Sequence, residues 1–234
     1  MNASASSRLP FSITALLVAT LWASAVVLPA TALAETKPPN VIIFLADDLG
    51  WADGGYHGEE VLETPSIDRL ANEGVQLDRV YSTPICSPTR AALMTGRDPM
   101  RLGVSYGVIM PWMTNGVHPD EHFMPESFRA AGYATAMVGK WHLCKDSSLS
   151  EAGPRHSWPL QKGFDRYYGI LDGFTNFHQP HRLYEANHHV QVDQYPDDYY
   201  FTDDLTDHAI TMIDEVRSSH PTKPSFLYSA HGAV

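Results

Sequence analysis

Apolar positions along this chain follow two alternating patterns. Asn40-Val41-Ile42-Ile43-Phe44-Leu45-Ala46 is a continuous, largely β-branched run. It predicts a parallel strand buried on both faces. Thr64 to Gly74 predicts a helix, with Thr64 as cap, Pro65 opening it and Gly74 as the stop. Val75 to Tyr81 predicts a second strand. Met124 to Gly132 repeats the helix grammar, with Pro125 at the start. A strand over Tyr133 to Val138 follows, running into Gly139-Lys140-Trp141-His142. Leu205, Ala209, Met212, Ile213 and Val216 recur at helical spacing, which predicts an amphipathic helix over Thr202 to Ser219 with Thr202 as cap and an acidic first turn. Ser225 to Ala230 predicts a last strand. Strands alternating with helices predict an α/β fold, a mostly parallel central sheet flanked by helices.

Lys145 to Asp193 breaks the pattern. It is irregular and rich in Gly, Pro, His and aromatics, with Gly163 to Gly169 reading as a turn and short strand. Such a region suits a substrate rim. Its histidines, His178, His181, His188 and His189, lack zinc spacing combined with cysteine and read as loop residues. No internal repeat or low-complexity linker appears.

The first residues follow a different logic. Arg8 precedes an uncharged apolar run from Phe11 to Leu28, Pro29 breaks it, and Ala32-Leu33-Ala34 fits a small-x-small cleavage rule. Residues 1–34 are expected to be a signal peptide cleaved near Ala34, leaving 35–234 as the mature chain. The protein would be exported, periplasmic or secreted, without a stable membrane anchor.

Composition adds one constraint. A formal net charge of −11 argues against nucleic acid as a partner. An acidic protein that handles an anion must concentrate its cations, and from Cys86 to Arg101 three arginines (Arg90, Arg97, Arg101) face a single acid, Asp98.

Candidate chemistry lies at the predicted strand ends. Asp47-Asp48 follow the first strand, where open α/β sheets bind ligands. Adjacent carboxylates there suit a hard cation such as Ca²⁺ or Mg²⁺. Pro84-Ile85-Cys86-Ser87-Pro88-Thr89-Arg90 precedes Ala91 to Gly96. Pro88 and Gly96 predict a short helix between them, with Cys86 at its positive end and Arg90 one turn on. In an extended chain Lys140 and His142 share one face, so they could bind an anion and shuttle a proton together. The two cysteines, Cys86 and Cys144, would by default form a disulfide in an exported chain.

These segments together resemble the sulfatase family. Cys86-x-Pro88-x-Arg90 with its apolar pair and Thr95-Gly96 is similar to the family's nucleophile signature. Asp47-Asp48-Leu49-Gly50-Trp51 resembles its first metal segment. Thr64-Pro65 with Asp68-x-Leu70-Ala71, Gly132-Tyr133-x-Thr135 through His142, and Gly163-Phe164-Asp165 resemble further segments, in family order. Met110-Pro111 and Pro119-Asp120-Glu121 look most like the arylsulfatase B branch.

The resemblance implies an alkaline phosphatase-like fold and hydrolysis of a sulfate ester, as a small molecule or a sulfated saccharide. It implies that Cys86 is oxidised to formylglycine by a formylglycine-generating or sulfatase-maturating enzyme and becomes the nucleophile. That role conflicts with a disulfide. Asp47, Asp48 and the modified Cys86 would ligate Ca²⁺ (Mg²⁺ possible). Arg90 would hold the formylglycine, Lys140 would bind sulfate, and His142 would contact the diol and help eliminate sulfate.

The same signature also serves phosphonate and phosphate ester hydrolases. The family pattern continues with a histidine, an Asp-Asn pair and a lysine that the sequence up to Val234 does not supply, and His231 falls early by that register. The chain is therefore expected to be the N-terminal part of the catalytic domain, C-terminally incomplete, and on its own a fragment with little or no activity.

Overall fold

The computed structural model describes residues 37–104, 107–110, 112–113 and 116–232. The expected signal peptide lies outside them. Among the described residues, no helix is long and apolar enough to cross a membrane.

Strands β1 (Val41–Leu45), β2 (Ala134–Lys140), β3 (Arg166–Ile170), β4 (Leu183–Glu185), β5 (His188–His189) and β6 (Ser225–Ala230) form one sheet in the order β1-β6-β2-β3-β4-β5. The first four in that order run parallel, and β4 and β5 append an antiparallel hairpin. The α/β expectation therefore holds, although the hairpin within Lys145–Asp193 had no clear signal.

The period of two sorts the strand side chains. Met137, Tyr167, Phe226 and Tyr228 join a core with helix α2 (Cys86–Thr95), through Ala91 and Met94, and with Phe123, Trp141, Trp158 and Phe164. On the other face Ala136, Val138, Tyr168, Ile170 and Leu227 pack against helix α4 (Phe201–Ser219) through Phe201, Leu205, Ala209 and Met212. Helix α3 (Met124–Ala130) lies against β2. Its side chain of Glu126 accepts from the Phe123 N–H at 2.7 Å, closing the helix start.

Three expectations are corrected. Val75 to Tyr81 forms no strand; Val75, Leu77, Val80 and Tyr81 are all exposed, because no sheet edge lies against them to supply hydrogen-bond partners. β1 is parallel but is an edge strand, so Ile42 and Phe44 face outward rather than into a second layer. Helix α2 begins at Cys86, with extended Ile85 as its cap, so Pro88 sits within the first turn, where its missing N–H is still tolerated. Smaller shifts follow the same logic. Tyr200, not Thr202, caps α4. Thr64 precedes helix α1 (Pro65–Glu73) without capping it. Its hydroxyl instead donates to Asp68 at 2.8 Å and accepts from the Gly55 N–H at 2.9 Å.

The register decides where chemistry can gather. Leu45 pairs with Ala230, Ala230 with Gly139, and Lys140 with Ile170. All four parallel strands end together, so the residues just beyond them share one edge of the sheet. The backbones are close there. A Cβ on Gly139, which has φ +99°, would lie 2.0 Å from the Ala230 carbonyl oxygen.

Candidate active site

At that shared edge, Cys86 occupies the first turn of α2 and is half-buried. Its Sγ lies 3.2 Å from His142 Nδ1. His142 adopts φ 55°, a left-handed conformation uncommon for a residue with a Cβ. It thus reaches the site by a turn just after β2, rather than by the strand alternation expected from Lys140 and His142. Its backbone N–H donates to the Leu171 carbonyl at 3.1 Å, and its Nε2 lies 3.2 Å from the Ile109 carbonyl oxygen. A backbone carbonyl only accepts, so Nε2 carries the ring proton and Nδ1 faces the sulfur as a lone pair. Burial, with the charge of Lys140 adding to it, lowers the His142 pKa to about 4, so the ring is neutral near pH 7.

Behind this pair sits a charged cluster. Arg90 is almost wholly buried, and its Nη1 donates to the Lys140 carbonyl at 2.6 Å and to the Tyr228 hydroxyl at 3.4 Å. Its Nη2 lies 3.6 Å from Asp47 Oδ2. The Lys140 ammonium pairs with the same carboxylate oxygen. Arg90 Nε is buried with no hydrogen-bond partner among the described residues, a donor left for an anion.

Asp48, at φ 69°, completes the turn after β1. Asp47, Asp48, Thr83, Cys86, Thr89 and Arg90 line a cavity of about 330 Å³. The oxygen donors suit a hard cation. Arg90 and Lys140 offset the two carboxylates, so an added divalent ion would leave the cluster positive and able to attract a dianionic sulfate group. Among the described residues no three His, Cys, Asp or Glu side chains gather as a complete metal cage.

Cys86 also borders a second, more apolar cavity of about 390 Å³. Ile109, His142, Leu171, Gly173, Phe174 and Arg182 are among its lining residues. Asp172, which pairs with Arg182 at 3.2 Å, and His181 also line it. The sequence marked the surrounding stretch only as a rim, read His181 as a loop residue, and did not single out Ile109, Leu171, Asp172, Gly173, Phe174 or Arg182. The signal was the β3 strand ending at Ile170, which delivers the next residues to the site edge.

Two sequence expectations do not reach the site. Arg97 pairs with Glu121 and Arg101 is exposed, so of the three arginines only Arg90 faces Cys86. Both cysteines are free, so the default disulfide is absent. Cys144 is buried, its thiol donates to the Ser157 carbonyl at 3.3 Å, and burial raises its pKa strongly. His231 follows β6 and its Nε2 lies 3.1 Å from the Ser229 hydroxyl.

A family model described as Sulfatase matches residues 39–233. The chain belongs to the sulfatase family. Arylsulfatase J of Mus musculus is 35% identical over 217 residues, covering 88% of this chain and 34% of that relative. This sulfatase chain therefore spans well under half of the relative's length. Among solved structures, Ps i-CgsB matches with a TM-score of 0.70 at 32% identity, over 82% of this chain and 44% of that one. BT4656, solved with its substrate D-glucosamine-2-N,6-O-disulfate, matches with a TM-score of 0.64 at 27% identity, over 84% of this chain and 35% of that one. The mixed α/β sheet of this sulfatase is thus the one its structural neighbours share.

Proposed function

We propose that this chain carries the nucleophile and sulfate-binding wall of an exported, formylglycine-dependent sulfatase that cleaves a sulfate ester of a saccharide. One observation carries the reading: Cys86 opens a helix 3.2 Å from a neutral histidine nitrogen, with Arg90 and Lys140 immediately behind. The sugar substrate of BT4656 supports the saccharide class. The apolar cavity beside Cys86, with Phe174 on its wall and Arg182 held by Asp172, would take the alcohol part.

Here Cys86 is an unmodified thiol, and Sγ stands in for an oxygen of the mature nucleophile. As formylglycine, this residue would supply a geminal diol, with one hydroxyl to attack sulfur and the other to expel sulfate. Asp47 and Asp48 would hold Ca²⁺ or Mg²⁺, which would stabilise negative charge on the sulfate oxygens. Lys140 would exchange part of its pairing with Asp47 for a sulfate oxygen. Arg90 would fix the nucleophile's end of α2 and offer its spare Nε–H to the anion. His142 Nδ1 would accept the proton that leaves the hydroxyl at the Sγ position. With two carboxylates as the available acidic ligands, the 234-residue chain alone should bind the cation weakly and release little sulfate.

The test is co-expression with a formylglycine-generating enzyme, followed by mass spectrometry of the Cys86 peptide. The expected product is lighter by the change from –CH₂SH to –CHO. Intact cysteine or a Cys86–Cys144 disulfide under those conditions would overturn the nucleophile role. Substantial sulfate release by the purified chain would overturn the expectation of weak activity.

A further inference from the structure

Ser87 is fully buried beside the nucleophile, and the proposed chemistry gives it no part. Its hydroxyl donates to the His142 carbonyl at 2.9 Å and accepts from the Ile109 N–H at 3.1 Å. The Ile109 carbonyl in turn faces His142 Nε2 at 3.2 Å. One side-chain oxygen thus closes a circuit from the His142 backbone, through Ile109, back to the His142 ring. All three residues are buried, so water does not compete for these bonds.

We propose that Ser87 is a positioning residue whose hydroxyl determines which ring nitrogen of His142 faces Cys86. The described residues 107–110 around Ile109 form no helix or strand, and the hydroxyl holds the Ile109 peptide where its carbonyl meets Nε2. That bond places the ring proton on Nε2 and leaves the Nδ1 lone pair toward Sγ. The ring also packs closely against the Gly173 backbone. A Cβ on Gly173 would lie 2.5 Å from His142 Cε1, so the imidazole already fills that space. Removing the hydroxyl would strand two buried groups, the His142 carbonyl and the Ile109 N–H, and free the Ile109 peptide to turn. A ring protonated at Nδ1 would point a donor at the nucleophile and could not accept its proton. The inference rests on His142 as the acceptor facing Cys86.

Long-range ¹H–¹⁵N spectra of the ¹⁵N-histidine-labelled 234-residue chain test it, with His142→Gln assigning the signal. The wild-type chain should show the Nε2–H form. Ser87→Ala should shift the His142 signals to a tautomer mixture or to the Nδ1–H form, and Ser87→Thr, which keeps the oxygen, should restore the wild-type pattern. A wild-type Nδ1–H form, or a folded Ser87→Ala chain with unchanged His142 signals, would overturn the proposal. If Ser87→Ala does not fold, Ser87→Cys replaces it. A thiol bonds weakly, so the signals should again shift, and unchanged signals would count against Ser87. The readout uses the thiol form and measures no sulfate release, so failure of the sulfatase reading and failure of this one remain distinguishable.

Discussion

The stretch from β1 to Tyr81 and the central pair β2 and β6 both carry apolar runs in sequence, but they fare differently. Every residue of β2 is buried, and Phe226, Tyr228 and Ala230 of β6 are fully so. In the first stretch Ile42, Phe44, Leu70, Val75, Leu77 and Tyr81 are exposed, and α1 buries none of its residues. The candidate site straddles these two regions. Cys86, Arg90, Lys140 and His142 stand on or against the packed centre, whereas Asp47 and Asp48 hang from an edge strand. The nucleophile wall is therefore held by its own core, and the Asp47 carboxylate is held chiefly by its pairing with Arg90 and Lys140.

Breaking the packed side should have the largest effect. Phe226→Ala removes a fully buried ring that stacks on Phe128 at 4.2 Å, and should destabilise the chain by about 3–5 kcal/mol in denaturant unfolding. Arg90→Ala acts at the junction of the two regions. It leaves the Lys140 carbonyl and part of the Asp47 charge uncompensated, and should lower stability by about 3 kcal/mol.

A smaller, pH-dependent effect belongs to His142. Its pKa is lowered from 6.5 to about 4 in the folded chain, so below pH 6.5 the unfolded chain takes up a proton that the folded chain resists. The stability this neutral ring permits is intact above pH 6.5 and is lost as pH falls towards 4. Between pH 7 and pH 5 the loss should be about 2 kcal/mol. Unfolding measured across that range should show the wild-type slope flattened by about this amount in His142→Gln. An equal slope in both chains would show that the ring is not held neutral. At the loose edge, Phe44→Ala should change stability by no more than about 0.5 kcal/mol, since the ring already faces outward. A loss as large as that of Phe226→Ala would show that β1 is covered in solution.

The sequence by itself determined the α/β class and the helix starts and stops within a few residues, and it named six candidate residues, Asp47, Asp48, Cys86, Arg90, Lys140 and His142, that lie together at one edge of the sheet. It could do so because strand and helix periods, Pro and Gly punctuation and the Cys86–Arg90 spacing are local properties. It misplaced Val75–Tyr81 because β-branched residues record only a preference for a pleated, half-buried surface, and the preference does not supply a neighbouring strand. The tertiary structure alone decided the rest. The common register of four strand ends brought Asp47 to Lys140 and Cys86 to His142 within bonding range, across as many as 93 positions of chain. The left-handed turn at His142 aimed its ring at the sulfur, and burial made that ring neutral. Which carboxylate meets which cation, and which histidine nitrogen faces the nucleophile, depend on distances between elements far apart in sequence, and no local pattern encodes them.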